Sequence, residues 1–226
     1  MTQQPQNETN KKWTKDIWAL LIVNFAIFAA AFLVFDRQLP DVMPSHFDMN
    51  GNQDGSMPKW QFWLFYGGLG VLLPPAVAAM RFIDPRKENY ARFEGFYKLL
   101  RWVISLFLQG LFITIILHGL GHSIPVHKVI AGALGVLWVV IGNRMGQVRS
   151  NFFIGIRTPW TLVDENNWNR THRLAAKLWV LAGLIMFVMA WFATGTWVTV
   201  LILVCVLGSS IVPVVYSYLL HRRANP

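Results

Sequence analysis

Residues 17–35 read IWALLIVNFAIFAAAFLVF, a run with no charged position and a single amide, Asn24, near its middle. An α-helix rises about 1.5 Å per residue, so about 20 apolar residues cross the hydrocarbon core of a bilayer. Lys11, Lys12 and Lys15 precede the run, as they would in a secretory signal. The apolar stretch is longer than a signal core and continues past Ala29-Ala30-Ala31, so it reads as a retained first membrane helix. Five further runs share this character: about Phe62–Met80, Trp102–Leu120, Ile124–Gly142, Leu178–Phe192 (extendable to Ala193) and Trp197–Leu220. The fifth is short, and Thr194-Gly195-Thr196 sets it against the sixth in a tight helical hairpin. The whole chain of 226 residues agrees, being 54% apolar and only 14% charged, where a soluble domain carries roughly a quarter charged residues. The expected fold is an all-α integral membrane protein of six transmembrane helices.

The placement of lysine and arginine sets the expected orientation. With the N-terminus inside, 17 of the 20 basic residues fall on the cytoplasmic side, and only Arg37, Lys59 and Lys128 fall outside. That asymmetry is the positive-inside pattern, and it puts both termini in the cytoplasm. It also accounts for the net charge of +9, because nucleic-acid binding needs basic residues on an exposed stripe rather than around apolar runs. Trp13, Trp18, Trp60, Trp63 and Trp102 stand at run ends, where interfacial anchors are expected. Pro74-Pro75, and Gly208-Ser209-Ser210 with Pro213, are expected to kink the second and sixth helices. Cys205 is the one cysteine and lies in an apolar run, which excludes an intrachain disulfide and a cysteine zinc site.

The chain therefore divides into a cytoplasmic tail (1–16), a two-helix region (17–98) with an external loop (36–60), and a four-helix region (99–226) with a cytoplasmic loop (143–177). Long connections carry function more often than short ones. In the external loop Pro40 and Pro44 fix extended or turn geometry. Asn50-Gly51 and Asp54-Gly55 favour turns with positive φ, and Val42, Ser45-His46-Phe47 and Met49 suit a short hairpin on the membrane surface. In the cytoplasmic loop Thr161-x-x-Asp164 has capping-box spacing before a helix. Trp168, His172, Ala175 and Trp179 then share one helical face and Arg170, Arg173 and Lys177 another, which reads as an amphipathic cytoplasmic helix running into helix five. Arg157 sits in an apolar segment closed by Pro159-Trp160 and has to pair or reach water.

Intramembrane polar groups are costly and count as site candidates; Asn24, Gln109, Thr114, His118, Ser209 and Ser210 qualify, mostly as helix-to-helix bonds. The absence of an acidic residue from the apolar runs argues against an ion-coupled transporter, leaving a small-molecule transporter with kinked helices two and six as one alternative. A second alternative is a membrane enzyme with an external metal site. His118 and His122 share a helical face, with His46, His127, Asp48 and Asp54 on the same side, but no glutamate lies between the two histidines and Gly119 and Gly121 weaken the helix. No phosphate-binding glycine loop, nucleophile elbow or catalytic triad is present, so no cofactor is expected and an enzyme stays only the alternative reading.

The segment NFFIGIRTPWTL (151–162), followed by Trp168 and Thr171-His172-Arg173, resembles the motif of the SdpI-type immunity proteins. The external pattern Leu39-Pro40, Pro44-x-His46-Phe47, Gly51, Asp54-Gly55 and Lys59 is similar to a domain of unknown function that often precedes it. Together the similarities reach from the first helix to the last. One departure is Ala176, where relatives often have glycine. The resemblance implies a multi-pass protein of the bacterial cytoplasmic membrane that protects its cell from a secreted hydrophobic peptide toxin. In the best-known member it also implies signalling, through a cytoplasmic repressor drawn to the membrane. The candidate functional residues are Asn151, Gly155, Arg157, Thr158, Pro159, Trp160, Trp168, Thr171, His172 and Arg173 inside, with Pro44, His46, Phe47, Asp48, Gly51 and Lys59 outside. Of these, Arg157, Trp160, His172 and Arg173, with His46 and Asp48, are the expected working residues.

Overall fold

A computed structural model describes residues 3–48, 50–193 and 195–224, with side chains from Trp13 onward. Met49 and Thr194, placed above in the external hairpin and in the turn between the last two helices, lie outside the described residues. The elements in chain order are α1 (Gln3–Phe35), β1 (Val42–Phe47), β2 (Gln53–Pro58), α2 (Lys59–Phe65), a π-helical stretch (Tyr66–Leu72), α3 (Leu73–Ile83), a 3-10 stretch (Lys87–Phe93), α4 (Glu94–Gly119), α5 (Val126–Met145), α6 (Pro159–Val163), α7 (Glu165–Phe192) and α8 (Thr196–Ala224). Six helical stretches among the described residues are long and apolar enough to cross a membrane: Trp13–Phe35, Lys59–Ile83, Lys87–Gly119, Val126–Met145, Glu165–Phe192 and Thr196–Ala224. The chain is thus a multi-pass membrane protein.

The proline pair shapes the second span one turn before itself. Pro74 has no N–H for the Gly70 carbonyl, and the helix winds wider over Tyr66–Leu72, where the Leu73 N–H bonds the Gly68 carbonyl five residues back, a π-type adjustment. The freed Gly70 carbonyl accepts instead from Gln109 Nε2 of α4 at 3.2 Å. The same amide nitrogen donates to Asn24 Oδ1 at 2.7 Å, and Gln109 Oε1 accepts from the Tyr66 hydroxyl at 2.6 Å. Ser105 donates to Asn24 Oδ1 at 2.6 Å, and Asn24 Nδ2 donates to the Leu20 carbonyl at 2.8 Å. Every member of this intramembrane network has a partner, as burial in hydrocarbon requires. It ties the first three spans together.

The second half packs by close backbone approach. A Cβ at Gly135 of α5 would lie 2.7 Å from the Gly183 carbonyl of α7, so these helices meet where neither has a side chain. Apolar lipid gives helices no hydrophobic reason to associate, and small residues let dispersion contacts do so. Trp138 stacks on Trp179 at 4.7 Å and donates to Ser209 Oγ at 3.2 Å, which joins α8 to the pair. α8 itself runs unbroken through Pro213. Ala176 lies in this α5–α7 contact, its carbonyl 3.2 Å from where a Gly142 Cβ would be.

Several expectations need correcting. The stretch read as running into helix five is the first part of α7, which is continuous from Glu165 to Phe192, and its Trp168–Ala175 face packs against protein rather than the membrane surface. The capping box joins Thr158 and Thr161 at the start of α6, while Asp164 caps α7 by accepting from the Asn166 N–H. Gly55 is a strand residue of β2 opposite His46 rather than a turn residue. The short hairpin expected in this loop is present as β1–β2, a two-stranded sheet in an otherwise helical chain. Trp13 and Trp63 are not lipid-facing anchors; both are buried. Trp13 lies under the guanidinium of Arg81 at 3.8 Å and near that of Arg101 at 5.0 Å. These two arginines, read above as orienting charges, are only 6% and 1% exposed. Arg101 reaches Asp16 at 3.3 Å, and the indole supplies a second favourable contact for cations removed from water.

Candidate functional site

The loop between α5 and α6 is organised by its own polar side chains. Asn151, fully buried, donates to the carbonyls of Arg149 and Ile154 at 2.8 and 3.0 Å and accepts from the N–H groups of Phe153 and Ile154 at 2.9 and 2.6 Å. One amide thus satisfies four backbone groups of a loop that has no secondary structure to satisfy them. Gly155 follows with φ +100°, and the space a side chain would take is filled by the His172 ring.

His172 is held at both nitrogens. Nδ1 faces the Trp168 carbonyl at 2.8 Å and Nε2 accepts from the Ile156 N–H at 3.0 Å. A carbonyl can only accept, so the Nδ1–H tautomer fits both contacts. The ring also stacks on Trp168 at 4.1 Å, and Trp168 donates to the Val148 carbonyl at 2.9 Å. Thr171, buried beside them, donates to Asn167 Oδ1 at 3.1 Å, and Asn167 Nδ2 donates to the Ser217 carbonyl of α8 at 2.8 Å. Thr158 caps α6, Pro159 follows at the first helical position, and Trp160 Nε1 donates to Ser217 Oγ. His172 is therefore a fastening of the loop to α7 and offers no free nitrogen for acid–base chemistry.

The structure leaves Arg157, Pro159 and Arg173 exposed. Arg157 donates to the Phe152 carbonyl at 2.8 Å and otherwise faces outward, so it both pairs and reaches water. Inside the motif, then, Asn151, Gly155, Thr158, Trp168, Thr171 and His172 form the frame, and Arg157 with Arg173 is the presented chemistry.

Three residues of the frame escaped the sequence reading. Asp84, buried after α3, accepts from the Phe152 N–H at 2.9 Å, the Tyr90 hydroxyl at 2.9 Å and the Arg86 N–H at 2.7 Å. Arg86 donates to Ser150 Oγ and, at 2.8 Å, to the Leu162 carbonyl; Asn89 Nδ2 donates to the Ser150 carbonyl at 2.7 Å. The one available signal was Asp84-Pro85, a turn-forming pair between two apolar runs.

At the opposite end, β1 and β2 pair antiparallel with an irregularity around His46. His46 Nδ1 meets Asp54 Oδ1 at 2.5 Å on the exposed surface. Asp48 closes the turn, its Oδ1 accepting from the N–H groups of Asn50 and Asn52, both at 2.8 Å. Those contacts, led by the Asn52 backbone N–H, hold the Asp48 carboxyl below the usual carboxylate range. Gly51, at φ +85°, lies against His127 of α5, and Asn50 accepts from Thr196 at the start of α8 at 3.3 Å. Lys59 donates to the carbonyl of Asp36 at 2.9 Å beyond the end of α1, Pro44 is buried in β1, and Phe47 packs edge-on to His118 at 5.3 Å. The hairpin is a cap over the helix ends. His118 is thus engaged with an aromatic ring while His122 is exposed in the α4–α5 connection, and no three His, Cys, Asp or Glu side chains among the described residues converge as metal ligands.

Comparison with known proteins follows this division. The model of the SdpI/YfhL protein family matches residues 147–217, which hold the motif loop, α6, α7 and most of α8. The Domain of unknown function (DUF1648) matches residues 20–69, which hold the hairpin, most of the first span and the start of the second. The Immunity protein SdpI of Bacillus subtilis (strain 168) is 26% identical over 211 residues, covering 93% of this chain and 98% of that protein. No solved structure matches the chain significantly. The motif frame, the six spans and a full-length similarity thus agree: this multi-pass cell-membrane protein is similar to the SdpI/YfhL proteins, with the family match carried by residues 147–217.

Proposed function

We propose that the protein is an immunity protein that protects its own cell from a secreted, membrane-active peptide, with both termini and the motif face in the cytoplasm. The observation that carries this reading is similarity to the Immunity protein SdpI over nearly the full length of both chains. The distribution of basic residues supports the orientation, and it makes the β1–β2 hairpin the outward face. There His46, Asp48 and Lys59 rim the helix ends at the place where a peptide entering the outer leaflet first meets protein. On the inner face Arg157 and Arg173 stand out from a rigid frame, a surface suited to a cytoplasmic regulator.

Deleting the gene is expected to sensitise the host to at least one hydrophobic antimicrobial peptide, with protection restored by the wild-type chain. Unchanged survival across a panel of such peptides would sink the proposal. Arg157→Ala is expected to keep normal membrane levels while losing regulator-dependent output. If instead the variant protein disappears from the membrane, Arg157 belongs to the frame.

A further inference from the structure

Arg170, Arg173 and Lys177 repeat at i, i+3 and i+7 along α7, and all three line one open groove of about 540 Å³. Asn143 of α5, Gln147 just beyond its end and Tyr216 of α8 bring three more polar side chains to it. No carboxylate lines the groove, and none of the three cations makes an ion pair among the described residues. Asp164, in the adjoining cavity that shares Arg170, accepts from the Asn166 N–H at 2.8 Å and not from the arginine. Three like charges gathered without a counter-charge repel one another, and no ion pair among the described residues offsets them.

The depth of the groove narrows the choice of anion. Lys177 is followed at once by the apolar run from Leu178, so the cations sit where the hydrocarbon ends and lipid phosphates begin. The groove also has apolar lining in Leu174 and Ala176. Val212, one turn before Tyr216 on the same face of α8, is 48% exposed and continues an apolar track into the bilayer. We propose that this groove binds the headgroup of an anionic phospholipid, its phosphate held by Arg170, Arg173 and Lys177 and its acyl chain lying along α8. The leaflet named here, the inner one, rests on the orientation proposed above; the groove and its chemistry do not.

The test uses the full chain purified in uncharged detergent and needs no toxin, so it stands or falls apart from the immunity reading. Phosphatidylglycerol, phosphatidylcholine, inorganic phosphate and an acidic peptide are each titrated, with bound lipid counted by native mass spectrometry and stability read as Tm. Phosphatidylglycerol is expected to stay bound and raise Tm, and phosphatidylcholine to do neither. Each basic residue near a membrane surface is worth about fivefold in affinity, so Arg170→Gln/Arg173→Gln/Lys177→Gln should weaken retention on the order of a hundredfold. The control Lys87→Gln/Arg92→Gln/Lys98→Gln, on exposed residues away from the groove, should change it little. Equal loss in the control, equal binding of phosphatidylcholine, or no bound lipid overturns the proposal. Stabilisation by inorganic phosphate alone reassigns the groove to a free anion, and binding of the acidic peptide without lipid reassigns it to a protein partner.

Discussion

The imidazole of His172 occupies the space that a side chain at Gly155 would need, since a Cβ at Gly155 would lie 2.3 Å from His172 Nε2. The two residues are 17 positions apart in sequence, yet each defines the other's place. The glycine takes a backbone conformation that brings the loop down on α7, and the histidine ring then accepts the next N–H of that loop, from Ile156.

Gly155→Ala is therefore expected to destabilise the protein by about 2 kcal/mol or more, from strain at positive φ together with the clash. His172→Ala alone should cost about 1–3 kcal/mol by leaving a backbone donor without its acceptor. Combined, the two should cost less than their sum, because removing the ring removes the clash. Unfolding of the detergent-solubilised variants measures all three, and strict additivity would refute the coupling.

Much of this was legible in the chain and some was not. The six spans follow from apolar run length, because lipid permits no other use of such runs. The buried Trp168, His172 and Ala175 face of α7 follows from helical spacing. Trp13 and Trp63 were misread because a tryptophan at a run end looks the same whether it faces headgroups or, as here, a pair of arginines and the end of α1. Ring contact between Arg81 and Trp13, 68 positions apart, has no local trace. Asp84 was missed for a related reason: its three donors come from near and far in the chain, and only Asp84-Pro85 marks the spot.

Asp84→Asn should loosen the motif loop without unfolding the bundle. The carboxylate accepts from three donors, and a side-chain amide turns one acceptor position into a donor facing another donor. The expected cost is about 1–3 kcal/mol, visible as faster tryptic cleavage after the exposed Arg157. Tyr90→Phe removes only one donor and should have a smaller effect. Equal cleavage rates for wild type and Asp84→Asn would show that the loop is held by Arg86 and Asn89 without it.

Within the membrane, Gln109 matters more than its neighbours because it also serves the Gly70 carbonyl that Pro74 leaves free. Gln109→Leu should lower stability by about 1–2 kcal/mol, and Tyr66→Phe, which removes one bond, by about 0.6 kcal/mol. Reversible unfolding in mixed micelles compares the two. If Tyr66→Phe proves the costlier change, the network is centred on the aromatic stack of Tyr66 and Phe112, at 4.5 Å, rather than on the amide.

The outer hairpin should respond to acid through Asp48. Its carboxyl is held below the usual range, first by the Asn52 backbone N–H, then by the Asn52 side chain and the N–H groups of Asn50 and Gly51, against an opposing desolvation effect. A depressed folded value means that the ionised turn stabilises the hairpin fully above the unfolded value of about 3.9, and that this contribution disappears as pH falls through the lower, folded value. Amide exchange at Asn50 and Asn52 is therefore expected to stay slow and flat from about pH 8 to pH 5 once corrected for intrinsic rates, and to accelerate below about pH 4. Asp48→Asn should exchange faster throughout and lose the acid transition. A transition centred near neutral pH would place the controlling charge on an imidazole instead, with the exposed His46–Asp54 pair the one to alter next.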